Sequence, residues 1–212
     1  MDITKEFLDS CEKNFDSDRA NTIAMNAVSN AGVLKAAESC KAQRQTRHTF
    51  SISLKQGSIT NQKRSGRCWM FAALNVMRFD VIRNLNLDDF ELSQSYPLFY
   101  DKLEKANYFL ESILKTLDEP TEGRLISFLL QSPVGDGGQW DMFANLVRKY
   151  GVVPKDAMPE SVSSSATAEM VSLLTEKLRE DACILRKAHA CGSTAGELLQ
   201  KKEAMMEEVY RL

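Results

Sequence analysis

Apolar residues recur at helical spacing along most of the chain. Between Ile3 and Cys40, positions such as Ile3, Phe7 and Leu8 fall at turn spacing, and Asp16 and Ser17 offer a break and a fresh cap, which predicts a helical N-terminal segment. Lys41 to His48 (KAQRQTRH) is polar and basic and reads as a solvated connector. Phe50, Ile52 and Leu54 then alternate with Ser51 and Ser53, the period of a half-buried strand, and Gly57 supplies a turn. Phe71, Leu74, Met77, Val81 and Leu85 step at three, three, four and four, so a helix is expected to begin at or just before Cys68. A second long stripe, Phe99, Leu103, Ala106, Leu110, Ile113 and Leu117, predicts a helix stopped by Pro120.

Arg124 to Leu130 reads as a shorter helix. The run SPVGDGG breaks the pattern before Trp140, Phe143, Val147 and Tyr150 resume it up to Gly151, which leaves Gly137 and Gly138 in an interhelical loop. The serine-rich stretch from Glu160 to Ser165 marks a boundary. Two amphipathic helices are expected from Ala166 to Leu212, separated near Gly192, where CGST offers a stop and a cap. The last segment, KEAMMEEVYRL, is still in helical period at Leu212, as in an interrupted protein. The strand at Phe50 to Leu54 is the only one the pattern predicts, and there is no internal repeat.

Composition narrows the classes. With 212 residues and 43% of them apolar, the chain can bury a core. Lys plus Arg number 27 against 29 Asp plus Glu, a net charge of −2, so no global field draws the molecule to nucleic acid or anionic lipid. The acidic start MDITKEFLDSCEKNF lacks the basic and apolar regions of a secretory signal, and no apolar run reaches the length of a membrane span; the expected location is the cytoplasm. Cys11, Cys40, Cys68, Cys183 and Cys191 are an odd set without a CxxC pair, which favours reduced thiols over a disulfide framework or zinc site. With only His48 and His189 beside them, neither metal nor other cofactor is expected.

The chemistry concentrates in NQKRSGRCWMFA, Asn61 to Ala72. Gln62 stands six positions before Cys68, Gly66 two before it, and Trp69 follows it at the opening of an apolar helix. A helix N-terminus favours a thiolate, and Arg64 and Arg67 would add positive charge. Attack on an amide carbon develops charge on its oxygen, which the Gln62 side chain and the Cys68 N–H could stabilise as an oxyanion hole. Trp69 would pack beneath the site and, with Gly66, let substrate backbone approach.

This constellation resembles the papain family, and within it the cytoplasmic branch of bleomycin hydrolase and aminopeptidase C. Secreted papain-like enzymes usually carry a half-cystine three residues before the nucleophile, where this chain has Ser65. The stretch GDGGQWDM, Gly135 to Met142, is similar to the same branch, and the resemblance implies that Gly137 and Gly138 hydrogen-bond substrate backbone.

It further implies an α+β papain-like fold of which this chain is mainly the helical, cysteine-bearing lobe. Residues 1–49 would be a helical extension, 50–160 the lobe and 161–212 a helical insertion. The β-rich lobe with the catalytic histidine and its asparagine is expected to be absent from this chain. The implied activity is that of a cysteine aminopeptidase acting on peptides from the amino end, a homohexamer when complete, and the chain alone is expected to be nearly inactive, since neither His48 nor His189 occupies the histidine position. Two other readings stand beside it. One is a non-catalytic helical interaction module. The other is nucleic-acid binding through Lys41 to Arg47 with Lys63, Arg64 and Arg67, against which the net charge argues.

Overall fold

The computed structural model describes residues 3–46, 49–52 and 57–212. The chain divides into two units, residues 1–54 and 55–212, each described by itself.

The first unit holds α1 (Lys5–Asp16), α2 (Arg19–Ala31), α3 (Val33–Ala36) and α4 (Cys40–Gln45). Each of three starts is fixed by an oxygen side chain that takes a first-turn N–H: Thr4 from Phe7, Asp18 from Ala20 and Ser39 from Ala42. The break expected at Asp16 and Ser17 falls there, with Asp18 as the cap. Gly32, at φ 78°, separates α2 from α3. None of these helices has a fully buried residue. The connector expected from Lys41 is instead helical to Gln45, because Ser39 caps a short exposed helix there. His48 and Leu54 lie outside the described residues. Phe50 and Ile52, expected in a strand, adopt none and are 75% and 77% exposed: no neighbouring strand among the described residues covers their apolar face.

The second unit is built on α5 (Cys68–Leu85), α6 (Ser95–Lys115), α7 (Arg124–Gln131), α8 (Trp140–Tyr150), the short α9 (Val162–Ser165), α10 (Ala168–Ala190) and α11 (Ala195–Arg211). Helix α6 is the spine, because it contributes to two apolar clusters. Its N-terminal Leu98 joins Met70, Leu74, Leu92, Phe143 and Leu146 from α5, α8 and the intervening chain. Its C-terminal Ala106, Phe109, Leu110 and Ile113 meet Leu174, Leu178 and Leu185 of α10 and Leu198, Met205 and Val209 of α11. Each such side chain contributes roughly 1.5 to 3 kcal/mol on burial. The α10 to α11 turn has the predicted form, with Gly192 at φ 88° followed by a capping box between Thr194 and Glu197.

Two helices depart from the expected stripes. In α5 the second half buries Arg78 and Ile82, whereas Leu85 is 65% exposed. The Arg78 guanidinium donates to the carbonyls of Ser58 and Phe90, so a charged residue occupies the inner face. Helix α6 ends at Lys115, ahead of Leu117 and Pro120, and its inner face includes Asp101 and Lys102. Among the described residues there is no named strand, only two isolated bridges, Arg64 with Ala166 and Leu92 with Pro154.

Candidate active site

The chain reaches Cys68 through a turn made rigid by its own polar groups. Asn61 Oδ1 accepts the Lys63 N–H at 2.8 Å, and Lys63 adopts φ 52°. The Ser65 hydroxyl donates to the Gln62 carbonyl at 2.7 Å and accepts from Arg67 Nε at 2.9 Å. Arg67 is fully buried. Its guanidinium forks onto Glu160 at 2.9 and 2.8 Å and lies 5.1 Å from the Phe71 ring centroid. Burial alone would raise the Glu160 carboxyl, but Arg67 and the Ser164 hydroxyl outweigh it and hold the group below its ordinary range. The Arg64 N–H donates to the Ser165 carbonyl at 3.0 Å.

Cys68 is the first residue of α5, exposed, with no side chain capping the helix. The first-turn N–H groups and the positive end of the helix therefore lie at the Cys68 position without a capping side chain. Gln62 is half-buried. The expectation that Arg67 adds free positive charge is corrected: the guanidinium is neutralised by Glu160 and sealed from solvent, which also removes it from any phosphate-binding patch.

The glycine loop, about seventy positions away in sequence, is brought to this turn through Asp136. One Asp136 carboxylate oxygen accepts the Gly66 N–H at 2.9 Å and the Thr167 hydroxyl. The other accepts Lys102 Nζ at 2.7 Å, and the Asp136 carbonyl accepts the Trp69 indole N–H at 2.9 Å. Burial raises the carboxyl, yet Lys102, Thr167 and the Gly66 amide together lower it to about 2. Gly66 has a local reason to be glycine, since a Cβ there would lie 2.7 Å from the Asp136 Cβ. Gly138 presses on Trp69, where a Cβ would come within 2.5 Å of the indole, whereas the Gly137 position is open. Trp69 also meets Phe143 edge-on at 6.5 Å.

The sequence reading missed Asp136, Lys102, Lys105, Glu160 and Thr167. Asp136 lies within the motif GDGG, but its contacts are long-range. Lys102 and Lys105 were hidden by their charge, which reads as a solvated face. His189 sits in the last turn of α10 with its Nε2 2.9 Å from Asp118 Oδ1. Among the described residues no group of metal-ligating side chains gathers, no two cysteines are joined, and no helix is long and apolar enough to cross a membrane.

An exposed cysteine thus opens a helix without a side-chain cap, and the indole that follows it in sequence packs on a glycine loop. Residues 2–212 match the Peptidase C1-like family, and the chain belongs to it. It is 45% identical to aminopeptidase C of Listeria innocua over 212 residues, 100% of this chain and 47% of that protein. Against human bleomycin hydrolase the identity is 41% over 204 residues, 94% of this chain and 45% of the relative. The crystal structure of PepW from Lactobacillus rhamnosis matches with a TM-score of 0.89 and 46% identity, covering 99% of this chain and 47% of that one. The chain thus spans about half the length of the relatives it matches.

Proposed function

We propose that this chain is the nucleophile-bearing part of a cysteine aminopeptidase that hydrolyses peptides from the amino end through a thioester on Cys68. The observation that carries the reading is the exposed Cys68 at the uncapped start of α5, on a turn pinned at Gln62, Gly66 and Arg67. The Cys68 thiolate attacks the scissile carbonyl carbon. The charge that develops on oxygen is met by the Cys68 N–H and the Gln62 side-chain amide, each such donor lowering the barrier by about 3 kcal/mol. The amine leaves with a proton from an imidazolium, and water then releases the acyl group. Gly66, Trp69, Gly137 and Gly138 line the path of the substrate backbone.

We place the histidine and its orienting asparagine in a β-rich lobe of a longer protein, because His189 is engaged with Asp118 at the end of α10. In that reading residues 50–160 are the helical lobe, 1–49 an extension and 161–212 an insertion. The complete enzyme would be a cytoplasmic homohexamer.

Iodoacetamide labelling of the 212-residue protein, read site by site, tests the nucleophile. Cys68 is expected to react several times faster than Cys11 or Cys183, which are also exposed but lie within helices; equal rates would sink the assignment. The same protein should turn over an aminoacyl-arylamide negligibly. Turnover that Cys68→Ala abolishes would overturn the placement of the base.

A further inference from the structure

Helix α6 carries a charged cluster directed at the glycine loop. Asp101 is 2% exposed and accepts Lys105 Nζ at 2.8 Å, with Lys102 Nζ at 3.8 Å. Lys102 donates to the carbonyls of Val134 and Gly135 at 3.0 and 3.1 Å besides Asp136. Lys105 donates to the carbonyls of Gly135 and Gly137 at 2.7 and 2.8 Å, and its ammonium lies 5.6 Å from the Trp69 ring centroid. Two ammonium groups thus hold the Val134, Gly135 and Gly137 carbonyls of a loop that has no regular secondary structure to hold them.

We propose that Lys105, held by Asp101, is a positioning residue for peptide binding. A trans peptide is planar with its C=O and N–H opposed. Capture of the Gly137 carbonyl by Lys105 therefore turns the Gly138 N–H away from Lys105. Gly138 abuts the indole of Trp69, the residue that follows Cys68, so this peptide plane is tied through one side chain to the start of α5. Gly137 is exposed, and the space around its α-carbon is open, which leaves room for a second backbone. Glycine on both sides gives this peptide more rotational freedom than other residues would, and an external clamp is what removes it. The inference rests on the aminopeptidase reading, in which Gly137 and Gly138 bind substrate backbone. Lys105 touches no reacting atom; it acts through the loop.

Two alkylating probes separate this role from a structural one. Iodoacetamide reports Cys68 alone, whereas a dipeptidyl chloromethyl ketone also needs the backbone subsite. In the 212-residue protein the ratio of the two rates at Cys68 should favour the peptidyl probe. Lys105→Met is expected to lower that ratio about tenfold, the scale of a lost hydrogen bond to a charged group, with the iodoacetamide rate unchanged. Lys105→Met/Asp101→Asn removes both charges together, so no carboxylate is left buried without its partner, and should give the same ratio if Lys105→Met alone folds poorly. Lys105→Arg should restore part of it. A ratio unchanged in folded variants, or equal loss of both rates, overturns the positioning role. No preference for the peptidyl probe in the unsubstituted protein would instead overturn the peptide-binding reading on which it rests.

Discussion

The α6, α10 and α11 cluster and the turn before Cys68 lie in one unit but are held by different physics. The first is joined by side chains such as Leu110, Ile113, Leu178 and Leu185, all at 0% exposure. The second has almost no apolar content of its own and is held by Ser65, Arg67, Glu160 and Asp136. Apolar packing is non-directional and supplies stability in proportion to area. Polar clamps give little net stability but fix direction, which a nucleophile and an oxyanion donor require. Stability and geometry are therefore separable here by substitution.

The largest effect is expected in the cluster. Leu178→Ala should cost about 3 to 4 kcal/mol by urea unfolding, because the cavity opens in a region packed from three helices. Relative labelling of Cys68 by iodoacetamide in the folded protein should not change. A selective loss at Cys68 would show that the two regions are not separable.

Next comes the buried fork. Glu160→Leu leaves the 0%-exposed Arg67 guanidinium without its anion and should cost about 3 kcal/mol. Arg67→Met leaves Glu160, whose side chain is 21% exposed and can regain water, and should cost about half as much. Both should slow Cys68 labelling relative to Cys11, unlike Leu178→Ala. Equal costs for the two variants would contradict the burial asymmetry.

A smaller effect follows from Asp136. Its carboxyl sits at about 2 in the fold against 3.8 when free. The folded value is depressed, so the stabilisation is fully present above about pH 4 and is lost as pH falls toward 2, about 2 kcal/mol in all. Asp136→Asn should flatten the stability curve in that window. An unaltered slope would mean that Lys102 and Thr167 do not favour the carboxylate.

What could be read from the sequence follows the same division. The apolar periods located α7, α8, α10 and α11, and the start of α5, because burial against neighbouring helices writes itself into residue type. The charged inner faces were not legible. Arg78 and Lys102 occupy helix positions that look solvated, and they are inside because loop carbonyls at Ser58, Phe90, Val134 and Gly135 need donors there, while Asp101 is inside as the anion that accepts Lys105. Which carbonyls those are depends on tertiary placement, so no local pattern marks them. Arg67 was misread for the same reason, since Glu160 is far away in sequence. The family resemblance was readable because the spacing of Gln62, Cys68 and Trp69 falls within one turn and one helix start.

The smallest effects belong to the glycine pair, where the comparison becomes local. At Gly138 a Cβ would fall 2.5 to 2.7 Å from three atoms of the Trp69 ring. That ring is held by its N–H to the Asp136 carbonyl and by Phe143, so it cannot swing aside without breaking a contact. Gly138→Ala should cost about 1 to 2 kcal/mol and change Trp69 fluorescence. At Gly137 no atom lies within 4 Å of the added carbon, and φ is not in the left-handed range, so Gly137→Ala should stay within about 0.5 kcal/mol. If Gly137 binds peptide backbone, however, the methyl group occupies space a substrate needs, and peptidyl-probe labelling of Cys68 should fall while stability holds. Loss of stability with intact labelling would reverse that assignment, because the residue would then matter to the fold and not to the ligand.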